Sequence, residues 1–325
     1  METASGALSA YGRNGEIQMI SLILAKKIFS LFLILAMGFL AVRGGVVDAK
    51  ESKTLSTISL YVIMPCVILS SFQVDYTREV LDGLILAFAA AICIHIGLLV
   101  VTALVGKLLK LDAVEKASVI YSNAGNLIIP LVTALLGKEW VIYSCAFVCV
   151  QQTLLWTHAK MLLCREKKPE LRKIVTNVNM ISIFAGILLF LSGIRFPSVI
   201  QDALDAAAAM VGPSAMIVTG MLIGGMDRKK LFSYRRTWLV AALRLVLLPL
   251  LAVAFLKWSP LAAMVPDGET ILLITLLAAI TPPAATITQM ALVYGKDADY
   301  AGAANVVSTL LCIITMPVMV MVYQI

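Results

Sequence analysis

Long apolar runs, separated by short charged stretches, constrain the fold of this chain more than any other feature. Ten such segments recur, at residues 20–42, 54–73, 83–106, 113–136, 140–163, 174–194, 202–226, 237–257, 270–292 and 300–323. A membrane-spanning helix needs about 20 apolar residues. Only 14% of the residues are charged, against about 25% in soluble domains. The sequence therefore predicts an all-α integral membrane protein with ten transmembrane helices.

The basic residues are distributed unevenly between alternate loops. Seventeen Lys and Arg residues lie in the loops after odd-numbered segments, and five lie in the N-terminus and the remaining loops. Because positively charged loops stay in the cytoplasm, both termini are expected outside a plasma or inner membrane. The net charge of +7 is thus interpreted as an orientation signal, and no nucleic-acid partner is expected.

The most basic loop divides the chain into two halves of five segments. An odd number of spans per half means that the halves, if they are repeats, insert in opposite orientations. A weak repeat supports this arrangement, because LGKE at 136–139 and YGKD at 294–297 both follow interrupted apolar runs, 158 residues apart. The expected units are a flexible N-terminus, a first five-helix repeat, a basic cytoplasmic loop and a second five-helix repeat, at residues 1–19, 20–163, 164–173 and 174–325.

Segments four and nine each contain a stretch that interrupts a regular helix. Segment four has SNAGN at 122–126 and then Pro130, and segment nine has TPPAAT at 281–286. Proline removes an amide donor and clashes with the preceding turn. In hydrocarbon the freed backbone groups cost several kcal/mol each, so such breaks persist where protein or a wet cavity satisfies them. We predict two broken helices that form a binding site, with simple packing kinks as the alternative.

The predicted orientation places the start of the second half-helix of both segments near the bilayer midplane. A helix N-terminus carries about half a positive charge and free amide donors. Two converging N-termini, together with the side-chain amides of Asn123 and Asn126, would hold one carboxylate without a buried cation. The expected substrate is therefore a small organic anion.

The run SNAGNLIIPL at 122–131 resembles a signature of the auxin efflux carrier family, which includes the PIN-type auxin carriers and bacterial relatives. Asn123 and Pro130 keep the family's seven-residue spacing. The last two segments also resemble this family. Further similar positions are Leu60, Tyr61, Pro65, Gln152, Leu154, Leu155, Trp156, Arg244, Leu245 and Pro249. The loop after segment five is shorter than the long cytosolic loop of plant auxin carriers, so the chain is more similar to bacterial members.

This resemblance implies two inverted five-helix repeats with broken, crossing helices four and nine, a scaffold, a moving transport domain and a homodimer. It implies transport of organic anions such as auxin, malate or malonate. By position, Asn123 would contact the carboxylate, Gln152 would line the site, and Pro130 and Pro282 would form the crossing. The candidate substrate-binding residues are Asn123, Gly125, Asn126, Pro130, Gln152, Thr281, Pro282 and Pro283.

Charged residues inside the segments bear on mechanism. Arg244 lies about 10 Å into segment eight, where a cation is costly but can still snorkel, and it is interpreted as a structural anchor or as an attraction for substrate. Asp and Glu occur at segment ends, which argues against proton coupling. We expect an alternating-access carrier driven by substrate gradient and membrane potential; a sodium-coupled symporter of the bile acid type is the alternative. No cofactor or enzyme activity is expected.

Overall fold

The computed structural model of the protein describes residues 26, 29–164, 172, 175–226 and 234–324. The expected N-terminal unit, most of the basic loop and the beginning of segment one lie outside these residues. The described chain is α-helical, and its β-structure is confined to one isolated bridge. The all-α prediction is therefore confirmed for the described residues.

The helices follow the apolar segments closely. In chain order they are α1 (Phe29–Arg43), α2 (Ala49–Ser71), α3 (Arg78–Leu108), α4 (Ala113–Ile120), α5 (Ala124–Leu135), α6 (Lys138–Cys164), α7 (Val178–Ser192), α8 (Ser198–Ala208), α9 (Val211–Gly225), α10 (Arg235–Trp258), α11 (Gly268–Ala279), α12 (Ala285–Val293) and α13 (Ala298–Gln324). Six candidate membrane spans occur in the described part: α2, α3, α6, the joined α8 and α9, α10, and α13. This content fits a multi-pass membrane protein.

Local sequence sets several helix ends. The Thr77 hydroxyl accepts a hydrogen bond from the Val80 amide at the start of α3. Asp112 and Glu115 form a reciprocal capping box at the start of α4, which satisfies amides that have no partner within the helix. Gly193 ends α7 at φ +68°, a conformation that glycine adopts readily. Helix ends therefore follow from capping chemistry as well as from hydropathy.

The helices pack as two groups. The smaller group contains α1, α2, α7, α8 and α9, and the larger group contains α3 to α6 and α10 to α13. In the smaller group α1 and α9 approach backbone to backbone, because a side chain on Gly38 or Gly220 would collide with the opposite main chain. The two groups meet where Leu127 of α5 packs against Leu35 and Met216 of α1 and α9.

A cavity of about 450 Å³ lies between the two groups, on the side where α2 ends. Its walls are mostly apolar and come from α1, α2, α8 and α9 of the smaller group and from α5 and α6 of the larger group. The polar side chains on these walls are Ser30, Ser70, Ser71, Thr133, Lys138 and Asp205. The volume lies within the range of small-molecule sites.

Candidate functional site

The helices of segments four and nine are both interrupted. In segment four α4 ends at Ile120 and α5 begins at Ala124; in segment nine α11 ends at Ala279 and α12 begins at Ala285. The interruptions coincide with the SNAGN and TPPAAT runs. Their positions are therefore those that the local sequence predicts.

The two interruptions meet and pair with each other. Ser122 and Pro283 form an antiparallel bridge. The Asn123 amide donates to the Pro282 carbonyl at 2.7 Å, and the Ala284 amide donates to the Tyr121 carbonyl at 2.9 Å. We call residues 121–124 and 281–284 the crossing. The pairing satisfies backbone groups that the helix breaks would otherwise leave without partners.

The crossing brings the N-termini of α5 and α12 together. Asn123 is the N-cap residue of α5, yet its side chain does not cap the first turn; instead, its Oδ1 accepts a hydrogen bond from Asn126 Nδ2 at 3.1 Å. Asn123 is 7% exposed, whereas Asn126, Ala285 and Thr286 in the following turns are half-buried. Two helix N-termini with amide donors in the first turn form an arrangement suited to an anion.

Arg244 of α10 binds the C-terminal ends of the first half-helices, α4 and α11. Its side chain is completely buried, so it does not snorkel to the membrane surface as the sequence suggested. It donates to the carbonyls of Val119 and Ile120 at 3.1 and 3.2 Å, and to those of Ala279 and Thr281 at 2.6 and 2.9 Å. These carbonyls lie at the C-terminal ends of α4 and α11, where a cation is favourable. The geometry assigns Arg244 to anchoring both breaks.

Side chains from α6 hold the segment-four side of the crossing. Gln151 Oε1 accepts from the Ser122 amide at 3.0 Å and from the Ser122 hydroxyl at 2.6 Å, and Gln151 Nε2 donates to the Ser122 carbonyl at 2.8 Å. The Tyr121 hydroxyl lies 2.8 Å from His158 Nδ1. Gln151 lies in a long apolar run, where a polar side chain ordinarily makes an interhelical hydrogen bond, and only the contact with Ser122 reveals its role.

One side chain from α13 holds the segment-nine side. Asn305 Nδ2 donates to the Pro283 carbonyl at 2.5 Å, and Asn305 is 7% exposed. A single Asn in an apolar run has no distinguishing local signal, so the sequence does not point to Asn305. It also lies near the start of the last segment, where polar residues are common, and its burial is evident only in the structure.

The remaining predicted site residues divide between the crossing and its surroundings. Gly125 faces α2, because a Cβ on it would lie 3.7 Å from Met64 Cε. Gln152 is half-buried beside Gln151, and its side chain makes no hydrogen bond with the described residues. Pro130 lies inside α5, seven residues beyond Asn123 and outside the paired residues 121–124. Its role in the crossing with Pro282, which the resemblance implies, stays a prediction.

The two half-helices differ in length, which refines the weak repeat. Helices α5 and α12 contain 12 and 9 residues. The C-terminal residues of the two helices are 158 residues apart, the same offset as the sequence repeat. Their first residues are three residues further apart, because Pro282 and Pro283 delay the start of α12. Among the described residues no group of His, Cys, Asp or Glu is arranged to hold a metal ion.

Comparison with known proteins identifies the family. No curated protein matches the chain. A family model described as "Membrane transport protein" matches it twice, over residues 23–171 and 165–320. This is the family of auxin efflux carrier and PIN-like membrane transporters, as the SNAGNLIIPL resemblance indicated. Since the two matches together cover nearly all of the described helices, the chain belongs to this family of membrane transport proteins.

Proposed function

We propose that the protein is a secondary transporter of small organic anions, which binds the substrate carboxylate at the crossing. The observation that carries this proposal is the pairing of the two interruptions, because it places the N-termini of α5 and α12 side by side next to Asn123 and Asn126. Helix N-termini are ready-made anion sites. Arg244 directs its donors at carbonyl groups on the other side of the crossing. The anion is therefore held without a buried cation. A buried cation would bind the anion strongly, because charges attract strongly in a low-dielectric site.

We infer that the chain spans the membrane ten times in two inverted repeats. The six long helices supply six spans, and α1, α7 and the interrupted pairs α4–α5 and α11–α12 supply the others. Two contacts support opposite insertion of the halves. Arg195 Nη2 lies 2.5 Å from Asp75 Oδ1, which puts the ends of α2 and α7 on one side. Arg43 Nη2 donates to the Met226 carbonyl at 3.0 Å, which puts the ends of α1 and α9 on the other.

The distribution of basic residues orients this topology. The loops rich in Lys and Arg are placed in the cytoplasm, so both termini lie outside the cell membrane and the cavity opens to the outside. Alternating access then consists of movement between the two helix groups, with the crossing exposed to one side at a time. The membrane potential contributes about 2.3 kcal/mol per charge per 100 mV, which favours exit of an anion from an inside-negative cell.

Counter-flow in sodium-free, pH-clamped proteoliposomes tests the proposal. Vesicles loaded with unlabelled malonate, malate or indole-3-acetate are expected to accumulate the same labelled compound. Asn123→Ala is expected to raise the KM about tenfold while the folded fraction stays unchanged, because its backbone amide still pairs with Pro282. The matched control is Asn177→Ala, which removes a cap of α7 far from the crossing. Absence of counter-flow for a wider carboxylate panel would overturn the proposal.

Sodium dependence separates the proposed mechanism from the alternative. The family match does not support a sodium-coupled symporter of the bile acid type. A strict sodium requirement in the same vesicles would contradict transport driven by gradient and potential alone. It would leave carboxylate binding at the crossing intact, since that rests on the helix N-termini.

A further inference from the structure

An ion pair joins the two helix groups at the cavity. Lys138 Nζ lies 2.5 and 2.6 Å from the two carboxylate oxygens of Asp205. Lys138 begins α6 in the larger group, and Asp205 belongs to α8 in the smaller group. Both residues line the cavity, and their side chains are 47% and 39% exposed. The pair is therefore accessible to a solute that enters the cavity.

The two partners depend on each other unequally. The Asp205 carboxylate also accepts hydrogen bonds from the Ser70 hydroxyl and from Gln201 Nε2, both in its own group. Lys138 has no acceptor other than Asp205 among the described residues. If another anion took the place of Asp205 at Lys138, Asp205 would retain two donors. The exchange would leave no carboxylate without a hydrogen-bond partner.

The cavity offers an incoming anion a single cation. Of the described residues that line it, Lys138 alone is basic, and most of the others are apolar. The Asp205 carboxylate balances this cation, so the described lining carries no net charge while the pair is intact. The carboxylate of a substrate that reaches the cavity therefore competes with Asp205 for the Lys138 ammonium.

We propose that Lys138 is the first binding position for the substrate carboxylate on the cavity side, and that Asp205 occupies this position in the present conformation. The proposal rests on the proposed function. A substrate carboxylate that displaces Asp205 also breaks the ion pair that joins the two helix groups. Substrate binding thereby allows the two groups to move relative to each other.

Opposite effects of the two partners on KM test this exchange. In proteoliposome uptake of labelled malonate, Lys138→Gln is expected to raise the KM about fivefold, because the binding position is lost. Asp205→Asn is expected to lower it about threefold, because Lys138 is released from its competitor while Gln201 and Ser70 keep their contacts. A purely structural ion pair predicts changes in the same direction, since either substitution breaks the same contact. Changes in the same direction would overturn the proposal.

The Asp75–Arg195 pair provides a matched control. It lies on the same side of the protein with the same 2.5 Å separation, but neither residue lines the cavity. Asp75→Asn and Arg195→Gln are expected to leave the KM unchanged. The effect of Lys138→Gln is also expected to shrink at 500 mM salt, because exposed charges are screened. An equal response of the control pair would overturn the proposal.

The double variant Lys138→Asp/Asp205→Lys separates substrate binding from the connection between the helix groups. It restores an ion pair between the groups but moves the cation to the smaller group. A wild-type KM in this variant would show that the connection alone matters and would overturn the assignment of Lys138. Wild-type protein that takes up none of acetate, malonate, malate, benzoate or indole-3-acetate would instead refute the proposed function. Wild-type uptake with an unchanged KM in Lys138→Gln would refute only the present proposal.

Discussion

The two interruptions that form the crossing are built by different means. The segment-four interruption contains no proline, and Gln151 holds Ser122 through three hydrogen bonds. The segment-nine interruption contains Pro282 and Pro283, and Asn305 contributes one hydrogen bond to the Pro283 carbonyl. Each proline disfavours the helical conformation of the residue before it, and the two together remove two amide donors. A membrane helix can thus be interrupted by prolines in its own sequence, or by a side chain of a neighbouring helix that forms hydrogen bonds with its backbone in place of the helical ones.

Arg244 is common to both interruptions, so its replacement is expected to have the largest effect. Arg244→Gln leaves carbonyls at the ends of α4 and α11 without their donors, at about 1–3 kcal/mol each. We expect loss of most folded protein, measured by size-exclusion profile and thermal unfolding in detergent. Arg244→Lys keeps the charge but not the fork of donors, so it should restore folding only in part. Near-normal unfolding temperatures in both variants would contradict the anchoring role.

The hydrogen bonds that Gln151 of α6 and Asn305 of α13 make to the crossing are expected to stabilise the fold by different amounts. Gln151→Ala removes three hydrogen bonds and should cost about 2–4 kcal/mol, whereas Asn305→Ala removes one and should cost about 1–2 kcal/mol. Unfolding temperature in detergent measures both. Gln152→Ala is the matched control, because Gln152 is the same residue type in the next position and its side chain makes no hydrogen bond with the described residues.

Gln152→Ala also tests a prediction that the structure leaves open. The family resemblance implies that Gln152 lines the substrate site, in which case its removal should raise the KM without lowering the unfolding temperature. Equal unfolding temperatures for the Gln151 and Gln152 variants would show that the hydrogen bonds between Gln151 and Ser122 are dispensable. That result would remove the difference between the two interruptions.

Single proline replacement in segment nine is expected to have the smallest effect. Pro283→Ala retains the Asn305 contact, the bridge with Ser122 and the neighbouring Pro282. The expected loss is about 0.4–1 kcal/mol, chiefly because the unfolded chain gains freedom. A larger loss, comparable with that of Gln151→Ala in the same unfolding assay, would mean that both prolines are needed to keep segment nine broken.

The sequence predicted the interruptions well and the residues that hold them poorly. Proline pairs and polar runs in apolar segments are local signals, so the breaks near Asn123 and Pro282 could be located without a structure. The role of Pro130 stays a prediction, because it came from spacing alone, and spacing does not distinguish a proline inside a half-helix from one at its start. Gln151 and Asn305 are polar residues within apolar runs, and local sequence cannot tell which neighbour they contact.

The sequence by itself determined that this chain is an α-helical membrane protein and where two of its segments are interrupted, because hydropathy and proline stereochemistry act over a few residues. The auxin efflux carrier family was indicated by the resemblance of the SNAGNLIIPL run. Only the tertiary structure decided that the two interruptions pair and that Arg244 binds both. It also decided that Lys138 meets Asp205 across a cavity. These contacts join residues far apart in the chain, so they depend on how the helices pack and not on local preference.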